Sequence, residues 1–260
     1  MASAFSKIMK LKFPAQPEIK LDSSPITEVI CQIRFPPILS IPKRLGEFQD
    51  YVRDKFPETG VQHSAVLESA QGAINSEVVN QPKVFQFISD DKKSNIAVGL
   101  DFYALSTSNY THWADFLESL VKANEAVLKV FKPNYASRIG LRYINQLNVD
   151  NTGAKSFDEV LDLLRKELTV LYRIDVWSPP SQQLIHLQLQ DGDAKLGLRL
   201  AIVDDEKNMR NCVLDFDYYE EGRITLGNLS ERSERFHRTI YNAFRWCFLD
   251  EEMAAFRHRL

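Results

Sequence analysis

The sequence has few of the residues that usually carry redox or metal chemistry. Its 260 residues include only three cysteines, Cys31, Cys212 and Cys247, which lie far apart and form no C-x-x-C pair. A sparse, odd set of this kind argues against a disulfide framework and against a cysteine-ligated zinc site. We therefore expect reduced thiols that pack as small hydrophobic side chains.

The sequence also lacks the common catalytic motifs. Its five histidines show no H-x-x-x-H or H-E-x-x-H spacing, and no nucleophile elbow, Walker loop or dinucleotide fingerprint occurs. Asp215 and Asp217, two apart on one strand face, are the best carboxylate pair for a metal or a shared proton, but no third ligand is near in sequence. We predict no catalytic residue, metal or cofactor, and leave a metal-dependent enzyme as the weakest alternative.

Neither charge nor hydrophobicity directs the chain to a polyanion or a bilayer. Lysine and arginine number 32 against 35 aspartate and glutamate, a formal net charge of −3, so no global field favours nucleic acid or an anionic membrane. No apolar stretch approaches the roughly 20 residues that cross a bilayer. The first residues also lack the apolar run of a signal peptide. We expect a cytoplasmic protein with no membrane contact.

The pattern of apolar residues predicts an N-terminal arm followed by two α+β halves. The arm, 1–24, contains prolines and no apolar period, and is predicted to be mobile or loosely docked at an edge. The first half, 25–135, is predicted to contain strands at 26–35, 84–89 and 95–106 and helices at 42–56 and 112–131. Its segment 58–82 has no clear period, with one weak strand near 65–69.

The second half, 136–260, repeats the order of elements. Strands are predicted at 137–147, 184–190, 196–203 and 211–219. A helix is predicted to begin at the capping box Ser156-x-x-Glu159 and to turn Leu164, Leu168 and Leu171 inward. A last helix, 230–248, is followed by a short helical tail that reaches residue 260.

Both halves therefore have the order β-α-β-β-β-α, and two short segments match between them. Gln32-Ile33-Arg34-Phe35 corresponds to Gly140-Leu141-Arg142-Tyr143, and Leu100-Asp101-Phe102 corresponds to Leu214-Asp215-Phe216. Hairpin-length links between strands favour antiparallel pairing with helices on one face. We predict an internal duplication that forms one curved antiparallel sheet. A TATA-binding-protein-like topology has this order, and carries no function with it.

The face of the strands opposite the predicted helices is polar and charged. Its candidate partner-binding residues are Arg34, Arg138, Arg142, Arg199, Asp101, Asp215 and Asp217, with Tyr103 and His186 on the same side. Arginine suits recognition because its planar fork binds carboxylate or phosphate through two hydrogen bonds. The alternative is a cross-strand ladder of ion pairs that keeps the sheet in register, which the equal mixture of signs favours.

One basic cluster provides an alternative nucleic-acid interface. The last helix carries Arg232, Arg235, Arg238 and Arg245 mostly away from its apolar stripe. Glu231 and Glu234 are interspersed among them and dilute the positive charge. A solvated helix face is therefore the simpler interpretation of these arginines.

Two motifs carry a resemblance to a known family. Pro25-Ile26-Thr27-Glu28-Val29, followed by the alternating strand, and Arg138-Ile139-Gly140-Leu141-Arg142-Tyr143-Ile144-Asn145 resemble those of a sporadically distributed family of uncharacterised bacterial proteins. The resemblance implies no catalytic residue. The scattered distribution of the family implies horizontally moving genes, such as toxin–antitoxin or anti-phage defence loci.

We therefore expect a non-catalytic partner-binding protein. The resemblance places it as an accessory, sensor or neutralising subunit of a bacterial anti-phage defence or toxin–antitoxin system, with its protein partner encoded nearby. A nucleic-acid-binding module is the alternative function. The sequence leaves the partner, any ligand and homo-oligomerisation open.

Overall fold

The computed structural model describes residues 10–19, 24–63 and 83–249. In the first half the strands are β1 (Ile26–Arg34), β2 (Glu58–His63), β3 (Lys83–Ile88), β4 (Ser94–Val98) and β5 (Phe102–Thr107), and the helices are α1 (Leu45–Val52) and α2 (Trp113–Val130). In the second half they are β6 (Ala136–Leu147), α3 (Val149–Thr152), α4 (Phe157–Asp162), α5 (Lys166–Thr169), β7 (Gln183–Asp191), β8 (Ala194–Asp204), β9 (Arg210–Ile224) and α6 (Leu229–Cys247).

The fold is α+β, as predicted, with the nine described strands in one antiparallel sheet of order β2-β3-β4-β5-β1-β6-β9-β8-β7. The chain divides into two compact units. Unit 1 holds the described residues of Met1–Val29, Gly140–Glu221 and Ser230–Leu260, and unit 2 holds those of Ile30–Ile139 and Gly222–Leu229. The division falls inside β1, β6 and β9, so these three strands contribute residues to both units.

The core of unit 2 lies between its strands and the helices α1 and α2. The predicted alternation of β1 is confirmed, because Cys31 and Ile33 are buried while Arg34 is exposed. Phe48 of α1 packs against Phe87 of β3 and against Phe131, with ring centroids 5.0 and 5.2 Å apart. These aromatic contacts fix the helices on one side of the strands.

The predicted single strand 95–106 is wrong, because the chain turns back at Gly99 to form the β4–β5 hairpin. The Gly99 N–H donates to the Phe102 carbonyl at 2.9 Å, and a Cβ on Gly99 would lie 2.4 Å from the Phe102 ring. The turn shifts the phase of the alternation, so the buried positions are even-numbered in β4 and mostly odd-numbered in β5. Tyr103, predicted on the polar face, is consequently buried in the core.

The described residues of the first half also include a strand within the segment 58–82, for which the sequence showed no clear period. Glu58–His63 forms β2 and pairs with β3, although its sequence shows little apolar alternation. The described elements of the first half therefore follow the order β-α-β-β-β-β-α. The weak strand predicted near 65–69 lies outside the described residues.

The core of unit 1 lies under α6. Phe236 of α6 packs against Tyr218 of β9 at 4.9 Å, and Phe244 packs against Phe216 at 6.3 Å. On β8, Leu196, Leu198, Leu200 and Ile202 are buried on the same side. The intervening residues of β8 and β9 therefore face away from the helix.

The single helix predicted after Ser156 is wrong beyond its first turns. The Ser156 hydroxyl accepts from the Glu159 N–H at 3.3 Å, which confirms the N-cap. The helix α4 ends at Asp162, because Leu164 forms a β-bridge with Phe248 and the Arg165 N–H donates to the Cys247 carbonyl at 2.9 Å. Leu171, predicted to point inward, is exposed beyond this interruption.

The described residues of the predicted arm, 10–19, contact α6. The Gln16 N–H donates to Asn242 at 3.1 Å, and the Tyr241 hydroxyl donates to the Pro17 carbonyl at 2.8 Å. His237, whose side chain is buried in α6, faces Glu18 through Nε2 at 3.3 Å.

The helical tail predicted up to residue 260 lies outside the described residues. None of the described helices has both the length and the apolar character needed to span a bilayer.

We expect the buried hydroxyl of Tyr103 to contribute to the free energy of unfolding through one hydrogen bond. It donates to Asn124 Oδ1 of α2 at 2.7 Å. Tyr103→Phe leaves this buried acceptor without its donor, so the free energy of unfolding should fall by about 1–3 kcal/mol in urea denaturation. The control Tyr51→Phe removes an exposed hydroxyl of the same unit and should change stability by less than about 0.5 kcal/mol. Equal effects of the two substitutions would contradict the assignment.

Candidate functional site

The polar face of unit 1 is built by four neighbouring strands, β7, β8, β9 and β6. In the register of the sheet, His186 of β7 lies opposite Arg199 of β8, and Arg199 lies opposite Asp215 of β9. Arg142 comes from β6, the next strand beyond β9. All four belong to the alternate positions that face away from the buried leucines, so the period of two assembles them on one surface.

Asp215 is the centre of this surface and holds two arginines. Its Oδ1 accepts from Arg142 Nε at 2.7 Å, and its Oδ2 accepts from Arg142 Nη2 at 2.7 Å and from Arg199 Nη1 at 3.1 Å. The carboxylate side chain is only 8% exposed, against 37% for Arg142 and 41% for Arg199. We call these three residues the Asp215 cluster.

The charges around the cluster reinforce one another. Hydrogen bonding to Asp215 raises the pKa of Arg142, and the charges of Asp215, Asp217 and Glu28 raise it further, although burial opposes them. The guanidinium therefore remains fully charged. Two arginines and three carboxylates meet on this part of unit 1, so its charge is mixed rather than basic.

The cross-strand positions next to the Asp215 cluster are polar, and some of their side chains bond to one another. Gln188, Gly197 and Asp217 form the next row across β7, β8 and β9, and the Gln188 side chain donates to the Tyr219 hydroxyl at 2.6 Å. Lys195 pairs with Glu221 at 3.0 Å. A Cβ on Gly197 would make only ordinary contacts of 3.7–3.9 Å, so no close approach of another backbone requires this glycine.

The remaining candidates of the polar face belong to unit 2. Arg34 and Asp101 form an ion pair at 3.6 Å, with side chains that are 50% and 43% exposed. Arg138 lies near the buried thiol of Cys31, and its charge lowers the pKa of that thiol slightly against the larger effect of burial. Of the seven predicted residues, the structure joins Arg142, Arg199 and Asp215 in one cluster, with Asp217 on the same strand face.

Each of the four α6 arginines has a partner within unit 1. Arg232 and Arg235 both donate to the carboxylate of Glu220. Arg238 donates to Glu234 at 3.2 Å, and Arg245 donates to the Pro17 carbonyl at 3.1 Å. These side chains are engaged with the protein rather than presented as one basic surface.

Two buried polar residues of unit 1, Glu220 and His237, were not identified from the sequence. Glu220 continues the alternate buried positions of β9 that begin with Leu214, Phe216 and Tyr218. This alternation indicates that the Glu220 carboxylate lies on the buried side of the sheet, where it requires positively charged partners. His237 follows Phe236 on α6, and its Nδ1 lies 2.9 Å from the Tyr143 hydroxyl. Burial lowers the pKa of His237, while Glu18 acts in the opposite direction.

Nothing in the described part of the chain forms a metal centre or an activated thiol. No group of three His, Cys, Asp or Glu side chains in residues 10–19, 24–63 and 83–249 could hold a metal ion. The three cysteines are buried and unbridged, as predicted. Burial raises the pKa of Cys31 and of Cys212 to about 12, so both thiols are neutral at physiological pH. Both carboxylate oxygens of Asp215 accept from arginine, which competes with a metal ion.

No protein-family model matches the chain, and neither does any curated protein. The resemblance to a bacterial family therefore stays a prediction.

The ion pairs of Asp215 are more buried than the Arg34–Asp101 pair, so we expect their loss to lower stability by different amounts. Asp215→Ala leaves two half-buried guanidiniums without their shared acceptor and should lower the free energy of unfolding by about 1–3 kcal/mol. Asp101→Ala removes an exposed pair and should cost less than about 1 kcal/mol. Chemical denaturation of both variants measures the difference. A double-mutant cycle of Asp215→Ala with Arg142→Ala that shows no coupling would contradict the assigned contact.

Proposed function

We propose that the protein is a non-catalytic partner-binding protein and that the Asp215 cluster is the centre of its binding surface. The main support for this proposal is that the nearly buried carboxylate of Asp215 holds the half-exposed guanidiniums of Arg142 and Arg199 on the polar face of the sheet. Arginine is enriched at protein interfaces, and binding energy concentrates in a few such residues.

The cluster supports binding because its arginines are already ordered. A free arginine loses on the order of 2 kcal/mol of rotamer entropy when a partner immobilises it. In the cluster, the contacts with Asp215 have already restricted Arg142 and Arg199 before any partner arrives. Arg142 uses Nε and Nη2 for Asp215, which leaves its Nη1 without a hydrogen-bond acceptor among the described residues. A partner carboxylate or carbonyl could therefore bind at low entropic cost.

The mixed charge of the surface favours a protein partner over nucleic acid. Phosphate contacts supply most of the affinity of non-specific nucleic-acid binding, so a nucleic-acid surface would carry a basic excess. Asp217 and Glu28 lie close enough to Arg142 to raise its pKa, and they would repel phosphates. The α6 arginines of the alternative interface are held by Glu220, Glu234 and the Pro17 carbonyl. A protein surface with both signs of charge is the better match.

The proposed biological role comes from the resemblance alone. We propose an accessory, sensor or neutralising subunit of an anti-phage defence or toxin–antitoxin system, acting in the cytoplasm with a protein encoded nearby. Absence of such a gene beside this one would argue against the role and would leave the binding surface unaffected.

We also propose that the two halves arose by duplication, with a curved sheet and a TATA-binding-protein-like topology. Arg34 and Arg142 stand 108 residues apart, and Asp101 and Asp215 stand 114 apart. In each half the arginine pairs with the aspartate, and the arginine strand lies beside the strand that the aspartate begins or occupies, β1 beside β5 and β6 beside β9. Matching pairs at a nearly constant spacing support a common origin.

The binding proposal is tested by co-purification of the tagged protein from its native host. Arg199→Ala should reduce recovery of a stoichiometric protein partner at least tenfold, because it removes an ordered donor from the centre of the surface. The matched control Arg238→Ala removes an exposed arginine of the same unit on α6 and should leave recovery unchanged.

Thermal melting of both variants checks that each is folded. Failure to recover any stoichiometric partner with the wild-type protein would contradict the proposal. Equal recovery with Arg199→Ala and Arg238→Ala would show that the partner binds elsewhere. Recovery of nucleic acid alone, with salt-sensitive binding, would favour the alternative function.

A further inference from the structure

The strand β7 forms one edge of the sheet. Among the described residues it pairs only with β8, over its whole length from Gln183 to Asp191. In an antiparallel edge strand, alternate backbone N–H and C=O groups point away from the paired neighbour and are left for solvent or another strand.

Edge strands of soluble proteins usually carry a device that prevents further pairing, such as proline, lysine, a bulge or a short length. The sequence of β7, QLIHLQLQD, contains no proline, glycine or lysine, and its register with β8 is regular over nine residues. Its one acidic residue, Asp191, stands at the end and already accepts hydrogen bonds from the Leu11 N–H and the Tyr218 hydroxyl. Within the part of the chain that the structure describes, β7 therefore carries no feature that prevents a further strand from pairing with it.

The side chains of β7 make this edge self-complementary. Ile185, Leu187 and Leu189 lie opposite Leu200, Leu198 and Leu196 on the helix side of the sheet. The three β8 leucines are buried, whereas Leu187 is 41% exposed and Ile185 and Leu189 are only partly covered. Among the described residues, the apolar side of unit 1 thus continues onto β7, where its side chains are only partly covered.

We propose that β7 pairs with β7 of a second copy of this chain, in an antiparallel register centred on Leu187. This register places Leu187 opposite Leu187 and Ile185 opposite Leu189, which extends the apolar row of β8 into the second copy. On the other side it places His186 opposite Gln188 and Leu184 opposite Gln190. No like charges meet, and the pairing is a closed two-fold interface.

A second copy is favoured over an unrelated peptide because this register places Ile185, Leu187 and Leu189, which continue the apolar row of β8, opposite one another across the two copies. Leu184, 68% exposed on the polar side, gains a cover from the aliphatic part of Gln190. A strand pair of this length buries less than the roughly 1,200–2,000 Å² of a standard stable interface. We therefore expect a dissociation constant on the order of micromolar.

The dimer is independent of the proposed function, because it uses none of the Asp215 cluster. Arg199→Ala should reduce partner recovery at least tenfold without changing the dimer. Changes at Leu187 should do the reverse. Failure of one proposal therefore leaves the other standing.

Sedimentation velocity of the wild-type chain over about 1–100 µM tests the pairing, because a micromolar dimer should appear across this range. Leu187→Lys places two ammonium groups directly opposite each other and should weaken the dimer at least tenfold. The control Val176→Lys adds the same charge at an exposed apolar residue outside β7 and should leave the dimer unchanged. An equimolar mixture of Leu187→Lys and Leu187→Glu should restore a dimer, because opposite charges then meet at the centre.

Each other outcome overturns the inference. A wild-type chain that is monomeric at about 100 µM removes the dimer. A dimer that survives Leu187→Lys uses another surface, and a mixture that fails to restore pairing contradicts the register. A monomer that binds a different protein only when Leu187 is intact assigns the edge to that protein. Circular dichroism of the variants shows that each retains its fold.

Discussion

Side-chain alternation along β6, β8 and β9 is the constraint on which the rest of unit 1 depends. Successive residues point to opposite sides of a strand, so one side is buried under α6 and the other carries Arg142, Arg199 and Asp215. A shift of one residue in any of these strands would bury the charges and expose the leucines. The same alternation that builds the core therefore also builds the candidate binding surface.

Burial distinguishes the Asp215 cluster from exposed ion pairs such as Arg34–Asp101. An exposed pair such as Arg34–Asp101 gains little, because water and salt screen the charges. Asp215 is nearly buried and would be costly without cations, and its geometry with Arg142 provides two charge-assisted hydrogen bonds. On the helix side, the nearly buried carboxylate of Glu220 is likewise paired with two arginines, Arg232 and Arg235. Both carboxylates therefore organise arginines around themselves.

Much of the fold could be predicted where one local rule acts alone. Uninterrupted alternation located β1, β6, β8 and β9, and it placed Arg142 and Asp215 on one face. Prediction failed where tertiary contacts decided the outcome. The hairpin at Gly99 inverted the phase at Tyr103, and hydrogen bonds from the end of α6 interrupted the helix after Asp162. The pairing of Arg199 with Asp215 required the register of β8 with β9, which no local pattern specifies.

The candidate binding surface depends on Asp215 holding Arg142 in one orientation. Hydrogen exchange of the arginine Nε–H groups, followed by nitrogen-15 NMR, measures this without any partner. The Arg142 Nε–H donates to Asp215 at 2.7 Å, so it should exchange with water far more slowly than that of Arg34, whose contact with Asp101 is through Nη2. The protection should disappear in Asp215→Ala. An Arg142 Nε–H that exchanges as fast as that of Arg34 would show that Asp215 does not hold this guanidinium in place.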